Sequence, residues 1–197
     1  MAHQQERFDE AIRQMNASHE QDPRTEVFDG KTYPKELIFS QRVSRWLHEL
    51  LEDPPEALQL AAFGHTLCRW KVRRDDYDRG LVGYRYWRLA CANRHADEAE
   101  QILRDAGYDD PMVEQVRSFI LKKDWPNTRE SLALEDADCL AFLELKFKHY
   151  LDDWDEDKTI DILAKTARKM TPEARRLVSR LPLSEREQSL LARALAD

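Results

Sequence analysis

The chain has 197 residues, a length that suits one domain with a sizeable core, and 42% of them are hydrophobic against 35% charged. Its formal net charge of −7 argues against generic binding to nucleic acid or to an anionic membrane, and no apolar run approaches the length of a bilayer span. Cys68, Cys91 and Cys139 are widely spaced and form no CxxC pair, which argues against a disulfide framework or a zinc ribbon and fits a reducing cytoplasm.

The N-terminus has no apolar signal region and reads as an amphipathic helix from about Gln4 to Ser18, with Phe8, Ala11, Ile12 and Met15 at helical spacing. Residues 21–36 are polar, contain Asp29-Gly30 and two prolines, and read as a loop or a short hairpin. A second helix starts near Pro34, with Leu37, Ile38, Val43, Trp46, Leu47 and Leu50 on its core face. Pro54-Pro55 breaks the chain and opens a third helix, expected to run on to Trp70. Residues 71–80 are too charged and irregular for a packed helix. A long fourth helix is expected from Leu81 to Asp105, ending at Ala106-Gly107 in a left-handed cap.

Asp110-Pro111 opens a fifth helix, and residues 122–131 are a loop. A sixth helix is expected from Glu130 to Leu151, and residues 152–157 interrupt it as solvated loop. A seventh runs from about Lys158 to Met170; its Lys158, Asp161, Lys165 and Lys169 read as an exposed face of ion pairs. Thr171-Pro172 and Ser184-x-x-Glu187 have the form of N-caps for two short final helices. With five unclustered glycines and no sustained apolar–polar alternation, the chain is expected to be all-α, a single-domain helical bundle over residues 1–197.

Three features point to chemistry. Residues 69–88 hold seven Lys or Arg against three Asp, a local net of +4 that leaves −11 for the rest. The same stretch carries Trp70, Tyr77, Tyr84, Tyr86 and Trp87, and arginines among aromatics suit a phosphate or carboxylate held beside a flat ring. Arg69, Arg73, Arg79, Tyr84 and Arg88 are therefore candidate anion-binding residues; a solvated, salt-bridged loop is the alternative.

The second feature is histidine placement. His65 lies in the apolar run LAAFGHTLC with Arg69 one helical turn later. Tyr84, Arg88, Cys91, His95 and Glu98 form one polar stripe beside Leu89, Ala92, Ala96, Ala99 and Leu103, expected to be core. Unpaired polar groups are costly to bury, so an inward stripe needs partners. The third feature is LALEDADCLAFLELKF, where Asp136 shares a face with Leu132, Leu140, Leu143 and Phe147, and Asp138 with Leu134, Phe142 and Leu145. At least one carboxylate enters apolar surroundings and must pair with a cation, bind a metal or shift its pKa.

The blocks FDEAI, PKELIFSQRVS, HTLCRW, YRYWR, RHADEAEQIL, LEDADCLAFLE and KTIDILAKTARKM resemble the domain of unknown function 4202 family. The resemblance covers about Phe8 to Met170, leaving 171–197 as a C-terminal helical extension, and it brings no established activity. More distantly, LAAFGHT, RHADEAEQIL and EDADCL resemble the histidine and aspartate helices of HD phosphohydrolases. That likeness implies an HD-like fold, with His65, His95 and Asp138 or Asp136 as metal ligands. Thr66 stands where the doublet's aspartate falls, and Phe39 where the first histidine falls.

The expected site is one polar pocket lined by His65, Arg69, Arg88, His95, Glu98 and Asp136 or Asp138. As a phosphohydrolase it would act on a nucleotide or other small phosphorylated molecule. His65, His95, Glu98 and Asp136 would be catalytic, with Mn, Fe, Ni or Zn held by imidazole and carboxylate. The alternatives are a non-catalytic small-anion or nucleotide binder and a protein-interaction module with a structural polar core. A soluble, cytoplasmic protein with a small anionic ligand, no extended nucleic acid and no membrane partner is the expectation.

Overall fold

The computed structural model describes residues 2–149 and 155–196. Helix α1 spans Ala2–His19 and leads to a hairpin of β1 (Thr25–Phe28) and β2 (Lys31–Pro34). The helices α2 (Lys35–Leu50), α3 (Glu56–Gly64), α4 (Leu81–Asp105), α5 (Asp110–Ile120) and α6 (Arg129–Leu145) follow. After these come α7 (Glu156–Lys169), α8 (Pro172–Leu177) and α9 (Glu185–Ala196). Single 3-10 turns occur at Arg69–Lys71, Arg74–Asp76 and Val178–Arg180. The fold is all-α apart from the hairpin, as the periodicities predict.

Local chemistry explains the boundaries. Asp29 and Gly30 both have positive φ (50° and 71°), the backbone that a tight two-residue hairpin turn demands, and Phe28 pairs with Lys31 across it. Asp109, Thr128, Asp155 and Thr171 each accept a backbone N–H at the start of a helix. Ser184 and Glu187 exchange reciprocal bonds as a capping box before α9.

The core forms where α2 lies along α6 and α3 fills the space between α2 and α5. Trp46, Leu47, Leu58, Leu60, Leu67, Leu103, Leu140 and Leu143 are fully buried there, each worth roughly 1.5–3 kcal/mol. Glu144 ties the central pair: it accepts Arg42 Nε at 2.8 Å and Trp46 Nε1 at 2.9 Å. At the far end α7 packs on α9.

Two helices end earlier than their sequence pattern predicts. The third stops at Gly64 rather than Trp70. A Cβ at Gly64 would lie 2.9 Å from Ile120 Cδ1 and 3.4 Å from Ala99 Cβ, so α3 passes close to α5 and α4 there and a larger residue would displace the Ile120 side chain. Cys68 then takes a left-handed φ of 54° and turns the chain away. His65 and Arg69 are therefore not one turn apart on a helix. The sixth helix ends at Leu145, not Leu151; Lys146 follows as its C-cap and residues 147–149 turn helical again. Of the expected loop at 152–157, residues 152–154 lie outside the described residues, and Asp155 caps α7.

Candidate functional site

The end of α3 organises the polar interior. A helix C-terminus leaves carbonyls without helical partners, and three histidines use those at and just beyond it. His65 donates Nδ1–H to Ala62 O at 2.9 Å, and His19, the last residue of α1, donates Nε2–H to Phe63 O at 2.8 Å. His95 from α4 donates Nδ1–H to Leu67 O at 2.6 Å. Each bond fixes a tautomer and aims the other ring nitrogen away from the carbonyl. His65 Nε2 faces Asp138 Oδ1 at 3.2 Å, whereas His19 Nδ1 and His95 Nε2 have no partner among the described residues. Burial, opposed by the Leu67 bond and assisted by the charge of Arg69, holds His95 down at about 3. Burial lowers His19 in the same way.

Glu36 lies in the first turn of α2 and is 1% exposed. Its Oε1 accepts Arg24 Nη2 at 2.8 Å and has Arg69 Nε at 4.0 Å, while Oε2 has no hydrogen-bond partner among the described residues. Burial alone would raise this carboxyl, but Lys146, Arg69 and Arg24 outweigh it and hold the group at about 2. Arg69 also stacks over Trp87 at 5.0 Å, and Trp87 is anchored by Nε1–H to Val72 O at 3.0 Å.

Lys146 places its ammonium 3.5 Å from the centroid of the Phe39 ring, and that ring lies 5.9 Å from His65. That ammonium makes no hydrogen bond or short ion pair among the described residues. Burial, opposed by Glu36 and assisted by Arg69, lowers it to about 8. Asp138 closes the cluster with 28% of its side chain exposed, between His65 and Lys122, whose Nζ is 3.8 Å from Oδ2. Burial would raise Asp138, but the His65 bond and the charges of Lys122 and Arg88 hold it well below the usual carboxylate range. Within the cluster Arg69, Arg88, Lys122 and Asp138 are the more exposed members, its rim, and His19, Glu36 and His95 are the buried ones, its floor.

Of the residues expected in the pocket, the fold brings together His65, His95, Asp138 and Arg69, with exposed Arg88 near enough to act on Asp138. Asp136 is not among them. Two residues along a helix turn it to the other side of α6, where it is 2% exposed and accepts Thr171 N at 2.8 Å and Thr171 Oγ1 at 2.5 Å. Burial raises its pKa against those two bonds.

Glu98 also departs, pairing with Arg94 at 3.2 Å and Lys71 at 4.0 Å. Arg73 and Arg79 are exposed, and their side chains make no hydrogen bond or ion pair among the described residues. Tyr84 is exposed and leans on Trp87 at 5.7 Å. Leu89, expected in the core, is 57% exposed. Among the described residues, no group of three or more His, Cys, Asp or Glu is placed to hold a metal ion.

Sequence reasoning missed His19, Glu36 and Lys146. The signal existed for two of them. His19 follows Ala11 and Met15 at steps of four on the buried face of α1, and Glu36 precedes Ser40, Val43 and Leu47 on that of α2. A groove of about 450 Å³ lies on the opposite face of α4, with Lys71, Arg94, Asp76 and Asp97 in its walls.

The family model described as Domain of unknown function (DUF4202) matches residues 9–191, and the chain belongs to that family. No curated protein and no solved structure matches the chain.

Proposed function

We propose that this member of the family binds a small phosphorylated anion at the cluster between α2, α3, α4 and α6. One observation carries the reading. Lys146 and Arg88 stand around Glu36 and Asp138 without a short ion pair among the described residues, and Arg69 reaches Glu36 only at 4.0 Å. Cations held close to a site but not bonded within it are available to a phosphate, which accepts several charge-assisted hydrogen bonds at once. The basic stretch 69–88 adds a local positive field on a chain of net −7, which favours an anion on this face.

The test is the melting temperature of the full chain with inorganic phosphate, sulfate and a nucleotide. Binding to the folded state raises it by linkage. Lys146→Met and Arg88→Ala should each abolish or sharply reduce that rise. A wild type indifferent to all three anions would overturn the reading.

A second reading keeps the metal-dependent phosphohydrolase. Its support is that three histidines each give one ring N–H to a backbone carbonyl, as metal-ligating histidines commonly do. As placed, the donors do not fit an ion: Asp138 is engaged by His65 and Lys122, and Asp136 by Thr171. This reading predicts a thermal response to Mn²⁺, Fe²⁺, Ni²⁺ or Zn²⁺ and a stoichiometric ion by elemental analysis.

A further inference from the structure

A phosphate alone leaves three atoms of the floor unexplained. His19 Nδ1, Glu36 Oε2 and His95 Nε2 have no hydrogen-bond partner among the described residues, and each belongs to a side chain less than 5% exposed. Buried polar atoms are rarely left unpaired in native proteins, so each such atom asks for a partner. All three are acceptors. His19 and His95 spend their N–H on Phe63 O and Leu67 O, which leaves a lone pair on the other nitrogen. Glu36 is a carboxylate whose Oε1 already serves Arg24.

Phosphate is itself an acceptor and carries negative charge, so it cannot face these atoms favourably. Arg69 and Lys122 lie in the more open part of the cluster, with side chains 21% and 35% exposed, and Lys146 acts on Glu36 from deeper within it. The site therefore has two unlike ends, a cationic rim and a floor of lone pairs. His65 links them, touching Asp138 at the rim and acting electrostatically on both His19 and His95.

We infer that the ligand carries hydroxyl or amine donors beside its phosphate, seated donor-end inward on His19 Nδ1, Glu36 Oε2 and His95 Nε2 with the phosphate at the rim. The class is a phosphorylated sugar, polyol or amino alcohol rather than inorganic phosphate or a plain alkyl phosphate. The inference rests on the anion reading above and deepens it. The carbonyl-anchored tautomers give it a further consequence: at neutral pH both histidines stay neutral, since burial keeps them from taking a proton, and so remain acceptors.

The experiment compares phosphate compounds with and without hydrogen-bond donors on the full wild-type chain. Glycerol 3-phosphate, ribose 5-phosphate and phosphoethanolamine are set against propyl phosphate and inorganic phosphate by calorimetry and thermal shift. The donor-bearing esters should bind at least about tenfold tighter than propyl phosphate. In protein labelled with 15N-histidine, the lone-pair nitrogens of His19 and His95 should shift with glycerol 3-phosphate and stay put with propyl phosphate. That readout needs no variant, so a misfolded mutant cannot blur it. His95→Phe should remove most of the tenfold advantage while keeping the weaker response to inorganic phosphate.

If all esters bind alike and the histidine nitrogens do not move, the inference is overturned while the anion reading stands, and buried water fills the floor. If divalent cations shift those nitrogens and no ester does, it is overturned in favour of a metal. If no phosphate compound binds at all, the anion reading fails and this inference with it.

Discussion

Arg69 and Arg79 belong to the same basic stretch, ten residues apart, yet the fold sends them to opposite fates. Arg69 is turned inward by its 3-10 turn, stacks on Trp87 and approaches Glu36. Arg79 stands in solvent with Arg73 and Arg85, beside Leu81, Val82, Tyr84, Tyr86 and Leu89, whose exposures run from 45% to 67%. The first turns of α4 project from the bundle, with one buried exception. A Cβ at Gly83 would lie 1.9 Å from Asp78 O, so glycine is what lets the preceding loop close over the helix. A count of charges over residues 69–88 measures a field that both halves share. Which half has partners depends on single backbone turns, and those decide where binding and stability are concentrated.

The sharpest way to break this comparison is to remove the inner counter-charge. Glu36→Ala removes the nearest carboxylate from Arg69 and Lys146, both partly buried, while Arg24 keeps its ion pair with Asp22. Loss of one partner from a buried ion pair typically costs about 3–5 kcal/mol, so urea denaturation should show a large fall in the midpoint. Arg79→Ala, on the outer half, should stay within about 0.5 kcal/mol of wild type. Similar losses in both variants would erase the distinction.

A second effect, roughly 2–3 kcal/mol between pH 6.5 and 4.5, concerns His95. Its folded value of about 3 lies below the ordinary 6.5, so between those limits the unfolded chain takes up a proton that the folded chain refuses. Stability is then full above pH 6.5 and falls as the pH drops towards 3. Glu36 works at lower pH: its folded value is about 2 against an ordinary 4.5, so its contribution is full above 4.5 and is lost on descending to 2. Urea midpoints measured across this range should decline from pH 6.5 and steepen below 4.5. His95→Gln should flatten most of the upper part and leave the steep part. His19, lowered by burial in the same sense, accounts for any residual slope.

How much of this was legible can be judged residue by residue. The limits of α4, the Asp29-Gly30 hairpin and the caps at Thr171 and Ser184 follow from local chemistry and stand as expected. The end of α3 was hidden because the apolar run LAAFGHTLC continues past it, although the chain leaves the helix after Gly64 and turns at the left-handed Cys68. His65, His95 and Asp138 stood out as polar groups inside apolar windows. Glu36, His19 and Lys146 did not, because each sits at a helix end, where charged and polar residues are ordinary for capping and solvation. The choice between Asp136 and Asp138 had no local answer. It was made by Thr171, 35 residues away, which claims Asp136.

A smaller effect, of opposite sign, comes from Lys146. Its ammonium is depressed to about 8 against an ordinary 10.5, so its charge costs stability at neutral pH, and stability should rise as the pH passes from 8 to 10.5. Lys146→Met keeps a long side chain over the Phe39 ring and removes that cost, while Glu36 retains Arg24 and Arg69. A gain of about 1 kcal/mol in chemical denaturation is expected, with the alkaline rise gone and the phosphate response lost. A variant that is both less stable and still responsive would move Lys146 from the anion-binding cations to the supporting structure.

The smallest expected effect lies on the outer half. Leu89 is 57% exposed and Tyr86 64% exposed, so neither has much burial to lose. Stabilisation by apolar burial scales with the area removed from water, and surface substitutions away from caps, cavities and networks usually stay within about 0.5 kcal/mol. Tyr86→Ser and Leu89→Ser should therefore leave the urea midpoint unchanged and leave the phosphate response unchanged as well, since Arg69 and Lys146 are untouched. The pair is informative because the residues interleave with Arg85 and Arg88 in sequence. If Leu89→Ser alone abolished the phosphate response without touching stability, the outer face would be part of the ligand's path and the two halves would be one site. If both variants melt like wild type and bind like wild type, the division within residues 69–88 is functional as well as geometric.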